Sequence, residues 1–103
     1  MTDIEALKLK IREFAERRDW TKFHNPKNLA MAISGEAGEL VAEFQWLTLE
    51  KSLSLTPAQL SAIEFEIADI AIYLIRLSDT IEIDLVSAIQ KKMKLNEERF
   101  PQD

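Results

Sequence analysis

The stretch from Ile63 to Leu77 constrains the fold more than any other part of the chain. Ile63, Phe65, Ile67, Ala68, Ile70, Ala71, Ile72, Leu74, Ile75 and Leu77 make it apolar on nearly every face of a helix. A helix of that kind is usually covered on most sides. Yet Glu66 and Asp69 sit in its middle. An unpaired carboxylate among apolar neighbours is costly, so each acid must be exposed, neutralised, paired or bound to a cation.

Helical spacing dominates elsewhere too, and no stretch alternates apolar and polar residues for long, so an all-α fold is predicted. Four helices are marked by their start signals. Thr2 followed by Glu5 has capping-box spacing, opening a helix over about 3–18. Asn25-Pro26 supplies a cap and a first-turn proline for a second helix over about 26–47. Thr56-Pro57 with Gln59 repeats that signal for a third over about 57–79. Asp84 is the expected cap of a fourth, which should stop near Arg99 because Pro101 follows. The stretch 48–56 reads as a linker. At 103 residues the whole chain, 1–103, is expected to form one domain. A chain this small buries only about 60–68% of its unfolded surface, so self-association would add burial it needs.

Charge and cysteine usage exclude some partners. A net charge of −5 argues against a nucleic-acid polymer. It leaves room for one small anion, because a bound cation reverses the local field. With no cysteine there are neither disulfides nor thiolate metal sites, as in a reducing compartment. No leader pattern opens the sequence and no apolar run reaches spanning length, so a cytoplasmic protein without a membrane partner is expected.

The second helix carries a matching acidic element, Gly35-Glu36-Ala37-Gly38-Glu39-Leu40-Val41-Ala42-Glu43. At about 100° per residue, Glu36 and Glu39 lie about 60° apart and Glu43 falls between them. Glu66 and Asp69 have the same three-residue offset, with Tyr73 on their stripe. Two facing helices would therefore converge four or five carboxylates, whose repulsion raises their pKa values unless a cation intervenes. An all-oxygen set suits Mg²⁺ or Mn²⁺ better than Zn²⁺. Both glycines of the chain flank Glu36, and each costs about 1 kcal/mol in a helix interior. Close approach of a neighbouring helix or ligand is the expected compensation. Either acid pair alone reads as a solvated face; two pairs, one on an apolar helix and one between glycines, favour a site. A di-iron bundle would need two Glu-x-x-His elements, and the single histidine, His24, is in neither.

Glu36-x-x-Glu39 followed by Glu66-x-x-Asp69 resembles the E-x-x-E…E-x-x-D pattern of the MazG-like nucleotide pyrophosphohydrolases. Arg18 to His24, Pro26, Asn28-Leu29, Gly35 to Leu40, Phe44-Gln45-Trp46, Asp69 to Leu74 and Asn96 to Pro101 are similar to the short dCTP pyrophosphatase branch. The resemblance covers nearly the whole chain. It implies a four-helix subunit in an oligomeric bundle, a dimer or tetramer. It also implies Mg²⁺-dependent hydrolysis of a (deoxy)nucleoside triphosphate, dCTP-like, to the monophosphate and pyrophosphate. By the same resemblance Glu36, Glu39, Glu66 and Asp69 hold the metal. Trp20, Thr21, Lys22, Phe23, His24, Trp46 and Tyr73 contact the nucleotide, and Asn96 and Arg99 reach phosphates. Phe100, Lys94 and Ile11 depart from residues found in relatives, which bears on base preference rather than on the chemistry.

The residues themselves are compatible with that reading. Aromatic faces near a phosphate site stack on bases, a contact of about 1–3 kcal/mol elsewhere. The plainer alternative is that Trp20 and Phe23 plug the core between the first two helices. Lys91, Lys92, Asn96 and Arg99 form a basic and polar face that would otherwise be merely solvated. Glu39 or Glu36 is the expected general base. Two further functions remain open on sequence alone: a non-catalytic helical adaptor, and a metal-dependent nucleotide sensor.

Overall fold

Local hydrogen bonds fix each of the four long helices at the expected start. Thr2 and Glu5 exchange side-chain and backbone bonds of 3.3 and 3.2 Å, opening α1 (Asp3–Arg17). Asn25 accepts from the Asn28 amide at 2.9 Å and Pro26 begins α2 (Pro26–Phe44). Thr56 and Gln59 form a second reciprocal pair, at 2.9 and 3.1 Å, ahead of α4 (Pro57–Thr80). Asp84 accepts from the Ser87 amide at 2.9 Å to begin α5 (Leu85–Arg99). The structure, a computed structural model, describes residues 1–102, and every element among them is helical.

Two expectations need correction. The second helix ends at Phe44, not near 47, and Trp46 lies beyond it. Nothing in Gln45-Trp46-Leu47 signals a stop, and Thr48 instead caps a new helix. The linker therefore contains a single turn, α3 (Leu49–Ser52), opened by the Thr48 hydroxyl accepting from the Lys51 amide at 3.1 Å. The structure thus has five helices, four long and one short, among the described residues.

α1 and α4 stop in the same way. After α1, Asp19 takes φ 56°, and the Trp20 amide reaches back to the Ala15 carbonyl at 2.9 Å. Past α4, Glu82 takes φ 59° and the Ile83 amide reaches the Ser78 carbonyl at 2.8 Å. This left-handed closure normally uses glycine. At Asp19 it has a direct use, because it swings Trp20 back over the end of α1.

α4 is the central element: α2 packs along it, and α1 packs against it to a lesser extent. Leu29, Ala15, Ile63 and Ile75 are the buried apolar side chains, with Ile63 and Ile75 about three turns apart along α4. α5 packs along none of the other helices. Consequently the chain is open, with a radius of gyration of 16.6 Å. A closed domain of 100 residues has about 13 Å. The all-round apolar α4 is not covered within one chain: Phe65, Ile67 and Leu74 remain exposed. No helix is long and apolar enough to cross a membrane among the described residues.

Candidate functional site

Packing of α2 on α4 turns their two acidic stripes toward each other. Carboxylate oxygens of Glu36, Glu39 and Glu66 all lie within 4.8 Å of one another, a grouping that could hold a metal ion. Asp69, one turn further along α4, adds its charge to this cluster. Glu43, expected on the same face of α2, is not in the grouping. Glu36 Oε2 and Glu66 Oε2 are buried and have no hydrogen-bond partner. Natural structures seldom leave such atoms orphaned without a functional reason.

The electrostatics follow from this crowding. Burial pushes the Glu36 carboxyl above the usual carboxylate range, and the charges of Glu39 and Asp69 push it further. Glu66 is pushed up by burial, then by the charge of Glu39. Both carboxyls are therefore held against their ionised forms by burial and by neighbouring acids, Glu39 and Asp69 acting on each, which a hard cation would relieve. The donor set is all oxygen and two of its atoms lack partners, so these residues fit a divalent metal.

Beside the acids opens a cavity of about 270 Å³. Glu36 and Asp69 stand in its wall, with Tyr73 of α4 and with Trp20 and His24 of the α1–α2 turn. The rest of the wall comes from Ile11, Phe14 and Ala15 of α1 and from Ile72 and Arg76 of α4. Trp20 meets Phe14 edge-on at 5.6 Å between ring centres and His24 at 6.1 Å. Arg18 covers the outer face of Phe14, 3.5 Å from its centre. A second, larger cavity of about 880 Å³ lies among α1, the end of α4 and the start of α5. None of the four acids lines it.

Between the two cavities, both of which His24 and Arg76 line, is a network that sequence reading missed; Arg12 and Asp79 line the larger cavity alone. Arg12 donates through Nε (2.8 Å) and Nη2 to both oxygens of Asp79. Buried Arg76 donates through Nη1 to Asp79 at 3.5 Å and through Nε to His24 Nδ1 at 3.2 Å. Since an arginine Nε only donates, His24 Nδ1 accepts, and the proton of neutral His24 is on Nε2. Burial, followed by the charge of Arg76, holds His24 below its ordinary pKa. Hydrogen bonding from Arg12 holds Asp79 below the usual carboxylate range. A signal for Arg76 was present: Glu66, Asp69, Tyr73 and Arg76 follow one another at helical spacing on one stripe.

The cavity thus brings together Trp20, His24 and Tyr73 with the acids, but not every residue expected near a nucleotide. Trp46 is 88% exposed and away from it. Lys22 pairs with Asp19 at 3.0 Å and approaches the exposed Phe23, while Thr21 faces the larger cavity. Asn96 and Arg99 are at the far end of α5. Gly35 and Gly38, expected to admit a close neighbour, face open space within the chain.

Comparison with known proteins agrees with the geometry. No family model matches the chain. It is 41% identical over 91 residues to dCTP pyrophosphatase 1 of Homo sapiens and 42% identical over 91 residues to that of Bos taurus. Each of these alignments covers 86% of the chain and 54% of the relative, so the chain spans about half the length of the curated relatives it matches. The crystal structure of a pyrophosphatase from Archaeoglobus fulgidus superposes with a TM-score of 0.93 at 39% identity. That match covers 99% of this chain and 95% of the other. An all-helical fold around paired acidic helices defines the class, and the chain belongs to the MazG-like pyrophosphatase family.

Proposed function

We propose that the chain hydrolyses a (deoxy)nucleoside triphosphate, dCTP-like as the names of its relatives suggest, to the monophosphate and pyrophosphate. One observation carries this reading: orphaned, buried oxygens of Glu36 and Glu66 on facing helices border an aromatic cavity. A pocket with convergent polar groups and perturbed carboxyls is the expected form of such a site. Glu36, Glu39, Glu66 and Asp69 would hold Mg²⁺, with Mn²⁺ able to substitute. When bound, the cation supplies charge neutralisation for phosphate oxygens and acidifies a water. Trp20 and Tyr73 present aromatic surface to the base. Glu39 or Glu36 accepts the proton of the attacking water.

Assembly completes the site in this reading. The uncovered α4 face and unpartnered α5 leave Phe65, Ile67, Leu74, Ile89 and Leu95 exposed, apolar surface of the kind that marks an interaction site. Pairing of chains about a two-fold axis covers them. Trp46, Asn96 and Arg99, distant from the cavity within one chain, then reach the nucleotide of a neighbour. Light scattering during size-exclusion chromatography is expected to give a dimer or tetramer, and an active species at 11.9 kDa would refute the shared site.

The direct test incubates pure protein with each dNTP, with Mg²⁺ or with EDTA, and resolves the products by anion exchange. Mg²⁺-dependent monophosphate and pyrophosphate are expected. Tight nucleotide binding without turnover would make the protein a sensor instead.

A further inference from the structure

Arg76 is an unusual residue to find in the wall of that cavity. Its side chain is only 8% exposed, on a helix that is otherwise apolar at this level. Nε is committed to His24 and Nη1 to Asp79, whereas Nη2 donates to no acceptor among the described residues. Nη2 is unpartnered without being sealed from solvent, and Arg76 stands in the wall of both the smaller and the larger cavity. Asp79 is not available to a ligand, because Arg12 occupies both its oxygens and Arg76 adds a third bond. His24 contributes another donor, since its accepting nitrogen is already used by Arg76 and its Nε2 carries the proton. Besides Glu36 and Asp69, the smaller cavity therefore offers charged or neutral N–H donors inside an apolar and aromatic wall.

We propose that Arg76, held in place by Asp79 and His24, is the residue that selects the base, donating through Nη2 to the N3 acceptor of a cytosine ring. The proposal rests on the nucleotide reading above, with the triphosphate at the acids and the base in the cavity. At about 270 Å³ the cavity falls below the roughly 300–1,000 Å³ that holds a whole small ligand, which suits one ring of a larger one. Cytosine turns an acceptor, N3, toward such a donor. Uracil and thymine carry N–H at position 3, between two carbonyls, and would set donor against donor. A site built to complete specific hydrogen bonds rejects an analogue that leaves them unmade far more strongly than an apolar pocket rejects a change in size. The guanidinium is well suited to the task, because it stays protonated at any working pH and its plane is fixed by two existing bonds. Asp79 and Arg12 do not touch the base; they position Arg76.

The first test uses the unaltered protein and varies the ligand. Turnover of dCTP, dUTP, dGTP and 3-deaza-dCTP, in which C–H replaces the N3 acceptor, is compared through kcat/KM. A preference for dCTP over dUTP, and a loss on 3-deaza-dCTP, of at least about tenfold each are expected. The second uses Arg76→Met, which keeps the apolar stem, with a thermal melt to confirm folding. The dCTP to dUTP ratio should collapse to within about threefold, through a raised KM for dCTP with dUTP turnover retained. Equal use of 3-deaza-dCTP and dCTP, a preference for dGTP, or an unchanged ratio in Arg76→Met would each overturn the proposal. Should the protein hydrolyse none of these, the catalytic reading fails by itself. Arg76 is then tested by calorimetric binding of dCMP against dUMP with Mg²⁺: a preference lost in Arg76→Met supports base selection, and equal binding by the wild type refutes it.

Discussion

Replacing Asp79 by Ala tests whether the network behind the cavity holds Arg76 in place. The Arg76 and Asp79 side chains are 8% and 9% exposed, while Arg12 on the other side of Asp79 is 39% exposed. Deleting one partner of a buried ion pair costs about 3–5 kcal/mol, because the remaining charge is stranded. Arg12 can return to water, so its share is the small one of a surface pair. Arg76 keeps its bond to His24 and can lean toward the larger cavity, which lowers its share as well. About 2–3 kcal/mol is the expected loss after this relief. For a chain of this size each kcal/mol lowers Tm by about 4–8 °C, so a drop of roughly 10–20 °C should result. Calorimetric melts at neutral pH, without metal and at one protein concentration, measure it. Asp79 is held below the usual carboxylate range, so its contribution is fully present at neutral pH. It is lost only as pH falls through its depressed folded value. The double variant Arg76→Met/Asp79→Leu should melt above Asp79→Ala, since no buried charge remains unpaired. A drop in Asp79→Ala of less than about 3 °C would show that the pair is solvated and that the positioning argument is wrong.

Glu36→Gln should raise the Tm of the metal-free protein and weaken its response to Mg²⁺. The reason is the raised Glu36 and Glu66 carboxyls: their contribution is fully present below the ordinary glutamate pKa and is lost as pH rises through their raised values. Metal-free wild type should accordingly show this loss above the ordinary glutamate pKa, Glu36→Gln should show less of it, and Mg²⁺ should offset it; an identical pH profile in both proteins would contradict the crowding. Glu39→Ala should abolish turnover yet leave a folded helical protein by circular dichroism. Activity within about threefold of wild type, well under 1 kcal/mol of barrier, would remove Glu39 from the metal set. Trp46→Ala should raise the Michaelis constant with little change in Tm, because the indole is 88% exposed and supports no packing within the chain. A large fall in Tm with unchanged kinetics would instead make it an assembly contact alone.

Helix starts were legible because capping is local: Thr2, Asn25, Thr56 and Asp84 each bond an amide three residues on. The end of α2 was not, since Gln45-Trp46-Leu47 carries neither glycine nor proline and the only local cue is the Thr48 cap of α3. Convergence of Glu36, Glu39 and Glu66 could be anticipated from two equal offsets on two helices. Which aromatic residues border the acids could not. Trp20 is turned inward by the left-handed backbone at Asp19, a conformation that sequence seldom announces for a residue other than glycine. The Arg12–Asp79–Arg76 network joins residues 67 apart in sequence, and no local pattern pairs them. Trp46, Asn96 and Arg99 do not join the cavity within one chain, and no local pattern fixes where they sit relative to it.

The central claim is cleavage between the α- and β-phosphates with water attacking the α-phosphorus, and isotope tracing tests it most directly. The protein would be incubated with dCTP and Mg²⁺ in ¹⁸O-labelled water, and the products resolved by phosphorus NMR, where ¹⁸O shifts the bonded phosphorus. The account predicts dCMP carrying the label beside unlabelled pyrophosphate. Label in pyrophosphate would move the attack to the β-phosphorus, and dCDP with labelled orthophosphate would contradict the assignment altogether.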